Sequence, residues 1–416
     1  MNVLIVGGGV AGLEALLGLR AIDGDRVRIT LAAPDPDFSY RPLAVAEPFG
    51  LGHAYRVPLS QFADDTGAEL VIDATVAVDD AAGRVRLRDG GDRSFDALLV
   101  APGARAVSGV EGATTWWPGG DPETYGGLLQ DMDEGYAKRI VIAVPPGAVW
   151  PLPAYELALM TAGQADDMGH DDVTVTIVTP ERRALSLFGD EASAAVTEEL
   201  RNAGVELRTG VVARRDKEGL VLEPGGERLD AQRLYAVPRL VGPALEGLPA
   251  DEEGFIVAGD DARVEGCERT WAAGDAVVSP LKFGGLATHQ ARRAAGAIAR
   301  LAGVEDAPDP GEPVVHGRLL VGRRTRRLRG RGDAEGAPLW WPQGKIAGEY
   351  LPRWLTEHGV TPPAAEEPDE GITVDQPISE MRGPELEYLH GLAREFRSAD
   401  PAIASLGRHM REARER

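Results

Sequence analysis

Among its 416 residues the chain has one cysteine, Cys267. A single thiol excludes an intramolecular disulfide framework and any chemistry that needs two sulfurs of the same chain. It also sets the expectation of a reducing, cytoplasmic compartment. Apolar runs are short, and none approaches the ~18–20 residues of a membrane-spanning helix. Positive charge is in deficit: 44 Lys and Arg stand against 66 Asp and Glu, for a net charge of −22. That balance excludes electrostatic capture of nucleic acid, which needs clustered positive charge, and reads as solubility. Lysine is almost missing, with only Lys138, Lys217, Lys282 and Lys345 among the 44 basic residues. Each is either a chance survivor of a bias towards arginine or a place where a compact ammonium is needed, which a guanidinium cannot replace.

What is present begins at the first residue. Val3–Val6 reads as a short buried strand and runs into Gly7-x-Gly9-x-x-Gly12, followed by the helical pattern Leu13–Leu19. Strand, glycine turn and helix in that order form the dinucleotide fingerprint. Gly7 permits the tight turn, Gly9 lets a pyrophosphate approach the backbone, and Gly12 lets helix and strand pack closely. The helix N-terminus supplies free N–H groups to the phosphates. With this unit at the start of the chain, no secretory leader is expected.

Further along, Val27–Leu31 reads as a second strand. Its usual terminal carboxylate, which would hold a ribose hydroxyl, is missing or displaced to Asp35. Val85–Phe95 reads as a hairpin, and Asp96–Ala104 as a buried strand ending in the turn Ala101-Pro-Gly103. A second strand–turn–helix unit starts at Arg139–Val144, with strands at 173–178 and 205–208 and a helix near 192–202. Then come Trp271-Ala-Ala-Gly274-Asp275, the loop 279–287 and a long helical pattern over 288–302. Val314–Arg331 reads as a strand pair carrying seven arginines, and the residues after Pro362 as an acidic connector and a helical tail.

Gly7–Gly12, the Ala101–Gly103 turn and Gly274-Asp275 together resemble the two-dinucleotide-binding-domain flavoproteins. Over roughly residues 1–355 the chain looks most like the branch of sulfide:quinone oxidoreductases, flavocytochrome c sulfide dehydrogenases and type II NADH dehydrogenases. The resemblance implies an α/β fold with two Rossmann-like domains, a C-terminal α+β domain and a helical tail. The FAD-binding domain would be split over 1–107 and 237–304 around a degenerate nucleotide domain at 108–236. Residues 305–361 would cover the flavin, and 362–416 would form the linker and tail. The resemblance also implies FAD as cofactor, with Asp275 at its ribityl and phosphate region and the Phe38-x-Tyr40-Arg41-Pro42 segment beside the flavin. The isoalloxazine is expected where Lys282-Phe-Gly284-Gly285 meets the following helix. There the helix N-terminus and the Lys282 ammonium would stabilise the negative charge of reduced flavin. His289 is a candidate proton relay or a structural helix residue.

The second nucleotide turn discriminates within the branch. Where a protein that docks NADH would repeat the glycine pattern, this chain reads Val144-Pro-Pro-Gly-Ala-Val-Trp-Pro-Leu-Pro-Ala-Tyr-Glu156. Proline removes donors and side chains obstruct a pyrophosphate. The sulfide-oxidising relatives place a reactive cysteine in this turn, and the counterpart here is Trp150. Cys267 has no partner to complete a sulfur-handling pair and reads as a small hydrophobe.

Trp340, Trp341 and Lys345 are candidates for a quinone or partner pocket, or for a packed domain interface. The Arg318–Arg331 run reads as a solvated hairpin, with docking to an anionic partner or peripheral contact with a membrane as the alternative. The expectation is an FAD-dependent oxidoreductase passing two electrons from a small-molecule donor to a quinone or protein acceptor. The alternatives are an NAD(P)H dehydrogenase with an atypical site, and a partner-dependent or non-catalytic flavoprotein.

Overall fold

The computed structural model describes residues 1–52, 54–315, 317–321 and 345–360, and the backbone of 324–328 and 376–377. Its described helices are α1 (Val10–Asp23), α2 (Leu59–Thr66), α3 (Glu123–Asp133), α4 (Leu152–Asp167), α5 (Asp190–Asn202), α6 (Gly284–Leu301) and α7 (Leu351–Glu357).

Two parallel five-stranded sheets organise the chain. In the first the order is Thr270–Ala272, Ala97–Val100, Asn2–Val6, Arg28–Ala33, Glu69–Ile72. Chain order reverses between Asn2–Val6 and Ala97–Val100, and at such a switch point ligands bind beyond the carboxyl ends of the strands. The central strands are apolar throughout because both faces are covered. Val3 and Ile5 pack against α1 and α6. Leu4 and Val6 pack on the other face against Val78, Val85 and Phe95. Val78 and Val85 belong to a three-stranded antiparallel sheet, Thr75–Asp79, Arg84–Leu87 and Asp92–Ser94, which contains the expected hairpin, and Phe95 follows its last strand.

The second sheet repeats the plan in the order Thr114–Thr115, Arg233–Ala236, Arg139–Ala143, Thr174–Val178, Glu206–Arg208. Helices α3, α4 and α5 cover one face, and an antiparallel sheet over Val212–Leu229 covers the other. The chain crosses between the two sheets through an antiparallel pair, Arg105–Val107 with Arg239–Val241. One apolar core reaches across the halves: Val45 and Ala46 from the 3-10 stretch Arg41–Phe49 join Tyr125, Leu157, Phe283, Leu286, Leu319 and Leu320.

The α/β class and both Rossmann-like sheets match the expectation, as does the hairpin Gly317–Val321 with Arg324–Leu328. Helix α6 begins at Gly284, earlier than the 288–302 pattern indicated, because its first turn is glycine and shows no periodicity. Helices α2, α3 and α7 were not anticipated; α2 and α7 are short, and α3 carries Gly126 and Gly127, which weaken its helical signal. The helical tail, Trp340 and Trp341 lie outside the described residues.

Candidate functional site

The three glycine turns meet at the carboxyl edge of the first sheet. Gly7 has φ +109°, and a Cβ there would overlap the Ala101 carbonyl; a Cβ on Gly12 would overlap the Gly7 carbonyl. Both glycines are required by the protein's own packing. Gly9 is different: a Cβ there would meet no protein atom within 4 Å, and its φ of −90° suits any residue. The open space above Gly9, at the uncapped N-terminus of α1, is the cradle a pyrophosphate would fill. Gly103 (φ +76°) follows the neighbouring strand and Gly274 (φ +77°) the next. The Ala101 N–H donates to Val6 O at 2.7 Å and Ala273 N–H to Val100 O at 3.1 Å, so the turns are stitched edge to edge. Asp35 is exposed just past Arg28–Ala33 and, among the described residues, accepts only the Asp37 N–H at 3.0 Å.

Asp275 follows Gly274, whose N–H donates to Gln290 Oε1 at 2.8 Å. Among the described residues the Asp275 carboxylate accepts no hydrogen bond, and burial raises its pKa against the pull of Lys282 and Arg41. It is a buried-edge acceptor that ribityl hydroxyls would satisfy. Lys282 is 5% exposed; its Nζ donates to Val277 O and lies 3.9 Å over the Phe255 ring. Burial pulls its pKa down to about 8, opposed by Asp275, Asp251 and Glu253. The exposed Arg41 guanidinium lies over Trp117 at 5.5 Å, with Pro42 next to it in the first turn of the 3-10 stretch. Gly284 and Gly285 open α6 with no side-chain cap. Their Cβ positions face Ile346, and Phe283 with Ala347, so both glycines make room for chain as well as for a ligand. His289 lies one turn further on, buried, with Nε2 donating to Gly311 O at 3.0 Å. Burial and Arg293 bring its pKa down to about 4, so at neutral pH it is an uncharged anchor for the 308–312 segment.

The Lys345 side chain is also buried. Its ammonium binds both oxygens of Glu156 on α4, at 2.5 and 2.7 Å, and its backbone N–H donates to the Tyr40 hydroxyl at 2.8 Å. The Leu320 N–H gives Glu156 a further bond at 2.9 Å. Lys217 is exposed and Lys138 half-buried, so the two lysines singled out from the sequence are the two whose side chains are buried.

The turn after Arg139–Ala143 is closed. Pro145 fills the space that a Cβ on Gly109 would need, and Pro151 and Pro153 leave the start of α4 without two of its donors. Trp150 stacks on Phe283 at 4.7 Å and meets Phe188 edge-on at 5.7 Å. Sequence reasoning missed Glu181, three residues past Thr174–Val178, where a dinucleotide domain keeps the carboxylate for a ribose. Here it is 3% exposed, and Tyr155 donates to it at 2.6 Å and Thr179 at 2.9 Å. Its place after a strand was the available signal; its tyrosine cap was not visible in sequence. Cys267 precedes Thr270–Ala272, at the amino edge of the sheet and opposite the glycine turns, with its thiol raised to about 11 by burial and Asp80.

Comparison with known proteins agrees with this geometry. The sequence profile of the pyridine nucleotide-disulphide oxidoreductase family matches residues 1–297. An NADH dehydrogenase-like protein of Mycobacterium tuberculosis is 28% identical over 300 residues, covering 66% of this chain and 72% of its own. The sulfide-quinone reductase of Aquifex aeolicus is 28% identical over 189 residues, 43% of each chain. The solved structure of the sulfide:quinone oxidoreductase from that bacterium superposes with a TM-score of 0.62 at 19% identity, covering 77% of this chain and 81% of that one.

Proposed function

From the premise that the chain belongs to the pyridine nucleotide-disulphide oxidoreductase family and is an FAD-dependent oxidoreductase, we propose that it takes two electrons from a small-molecule donor other than a nicotinamide nucleotide. It passes them to a quinone or a protein acceptor without a cysteine persulfide. The observation that carries this reading is the closed second turn, where Pro145, Trp150 and the Tyr155–Glu181 pair stand where a dinucleotide would need space, donors and a free carboxylate. Cys267, alone and at the far edge of the sheet, supports the exclusion of persulfide chemistry.

The bound FAD supplies reversible two-electron chemistry, and the chain's residues hold and bias it. Gly7–Gly12 and the first turn of α1 would take the pyrophosphate, Asp35 the adenosine ribose, and Asp275 the ribityl hydroxyls. The α6 N-terminus and the Lys282 ammonium favour the charge that appears on reduction. Trp150, stacked on Phe283, would shield that end of α6.

A second reading, an NAD(P)H dehydrogenase, is favoured by the similarity to an NADH dehydrogenase-like protein. Anaerobic mixing with NADH, NADPH and sulfide, followed by flavin absorbance, separates the readings. The purified protein should be yellow, bleach poorly with either nucleotide, and show no cysteine-dependent sulfide turnover; Cys267→Ser should leave flavin content intact. Stoichiometric bleaching by micromolar NADH would establish the dehydrogenase instead.

A further inference from the structure

The segment 345–351 crosses the N-terminus of α6 and is fastened at both ends by buried carboxylates that the redox reading does not use. At one end Glu156, fully buried, holds the Lys345 ammonium at 2.5 and 2.7 Å. At the other end Glu14, fully buried on α1, accepts the backbone N–H groups of Glu349 (2.8 Å), Tyr350 (3.2 Å to each oxygen) and Leu351 (2.7 Å). Arg292 on α6 lies 3.7 Å from the same carboxylate and 3.2 Å from Glu349. Between the fastenings, Ile346 lies against Gly284 and Ala347 against Gly285. The Thr288 hydroxyl stands 2.9 Å from Gly285 O and 2.5 Å from Ala347 O. Tyr350 lies on Gly18 of α1, with its Cε2 3.0 Å from where a Cβ would be.

Glu14 is costly to bury: its charge is removed from water, and burial raises its pKa despite three backbone donors and Arg292. An apolar residue would pack a helix face of α1 at less cost, so the carboxylate is there for the N–H groups it gathers. It sits one turn beyond the glycines that take the pyrophosphate, so α1 would grip the cofactor at its N-terminus and the cover over the flavin with the next turn. We propose that Glu14 is a positioning residue for FAD: it clamps the segment 345–351 over the flavin end of the site, and release of this clamp limits the rate at which FAD leaves. The proposal rests on the expected placement of the isoalloxazine at Gly284–Gly285.

The test is flavin release from the purified holoprotein, followed by the rise of free FAD fluorescence after large dilution into flavin-free buffer. Glu14→Gln keeps the shape and some acceptor capacity but loses the charge; Glu14→Ala loses both. Charge-assisted bonds of this kind correspond to about tenfold or more in rate, so release should accelerate by that much in the Gln variant and further in the Ala variant. Amide exchange over 345–351 should be slow in the holoprotein and fast both in the Gln variant and in FAD-free wild type. A role confined to stability would lower the melting temperature of the FAD-free protein without singling out these amides. Wild-type release rates in folded Glu14→Gln, or exchange over 345–351 that ignores FAD, would overturn the clamp. Should the isoalloxazine lie elsewhere, exchange at 284–288 would be unaffected by FAD as well, which separates the two failures.

Discussion

Lys282 is the residue at which a prediction is sharpest. Its amine is buried, holds its proton up to about pH 8, and has Asp275, Asp251 and Glu253 around it but, among the described residues, no direct carboxylate partner. Loss of the ammonium near reduced flavin should lower the two-electron midpoint potential of Lys282→Met by roughly 30–60 mV below pH 8. Above pH 8 the oxidised wild type has lost this proton, and reduction draws it back. The wild-type potential should therefore fall more steeply with pH above 8 than below, and the Met variant should lack that break; spectroelectrochemistry at pH 6.5 and 9 reads both. His289 has the opposite task. Its folded pKa, about 4, lies below the unfolded value, so its contribution is complete above pH 6.5 and is lost as pH falls towards 4. Between pH 7 and 4.5, wild type should lose about 1–3 kcal/mol more stability than His289→Gln, whose amide can still donate to Gly311, as measured by urea unfolding. The scarcity of lysine made Lys282 and Lys345 legible in the sequence. What each binds was not, because the Phe255 ring and Glu156 come from segments that only the fold brings near.

At the scale of elements, the strand–turn–helix units were readable because period, glycine and length agree. The glycines differ in what they serve, and the difference can be measured. Gly12→Ala places a methyl on the Gly7 carbonyl and should leave little folded protein. Gly9→Ala meets nothing of the chain, so the FAD-free protein should melt as wild type does while FAD affinity falls at least about tenfold by equilibrium titration. Equal loss of fold in both variants would remove the argument for a ligand above Gly9. The short α2 and α7, the glycine-bearing α3, and the 3-10 stretch Arg41–Phe49 were hidden from the sequence. Their amphipathic signal is brief, and their stability comes from what they touch: Phe62 and Trp354, on α2 and α7, stack at 3.8 Å.

For the whole molecule, the two sheets share one apolar core through Val45, Ala46, Phe283, Leu286 and Leu319. Side chains in such a core lose their partners together, so the halves should unfold in a single calorimetric transition. Two transitions separated by more than about 10 °C would mean that the shared core contributes little. In the second sheet the turn and the carboxylate beside it depend on one another. Asp35 in the first half stands open, whereas its counterpart in position, Glu181, is already satisfied by a tyrosine hydroxyl standing where a sugar hydroxyl would be. Glu181 also accepts from Thr179, and Trp150 shares its place with Phe283 and Phe188, so a change at one of these residues leaves the others in position. On the proposed reading, substitutions at Trp150, the prolines and the Tyr155–Glu181 pair should therefore be strongly non-additive, with flavin reduction by a nicotinamide nucleotide appearing only when they are changed together.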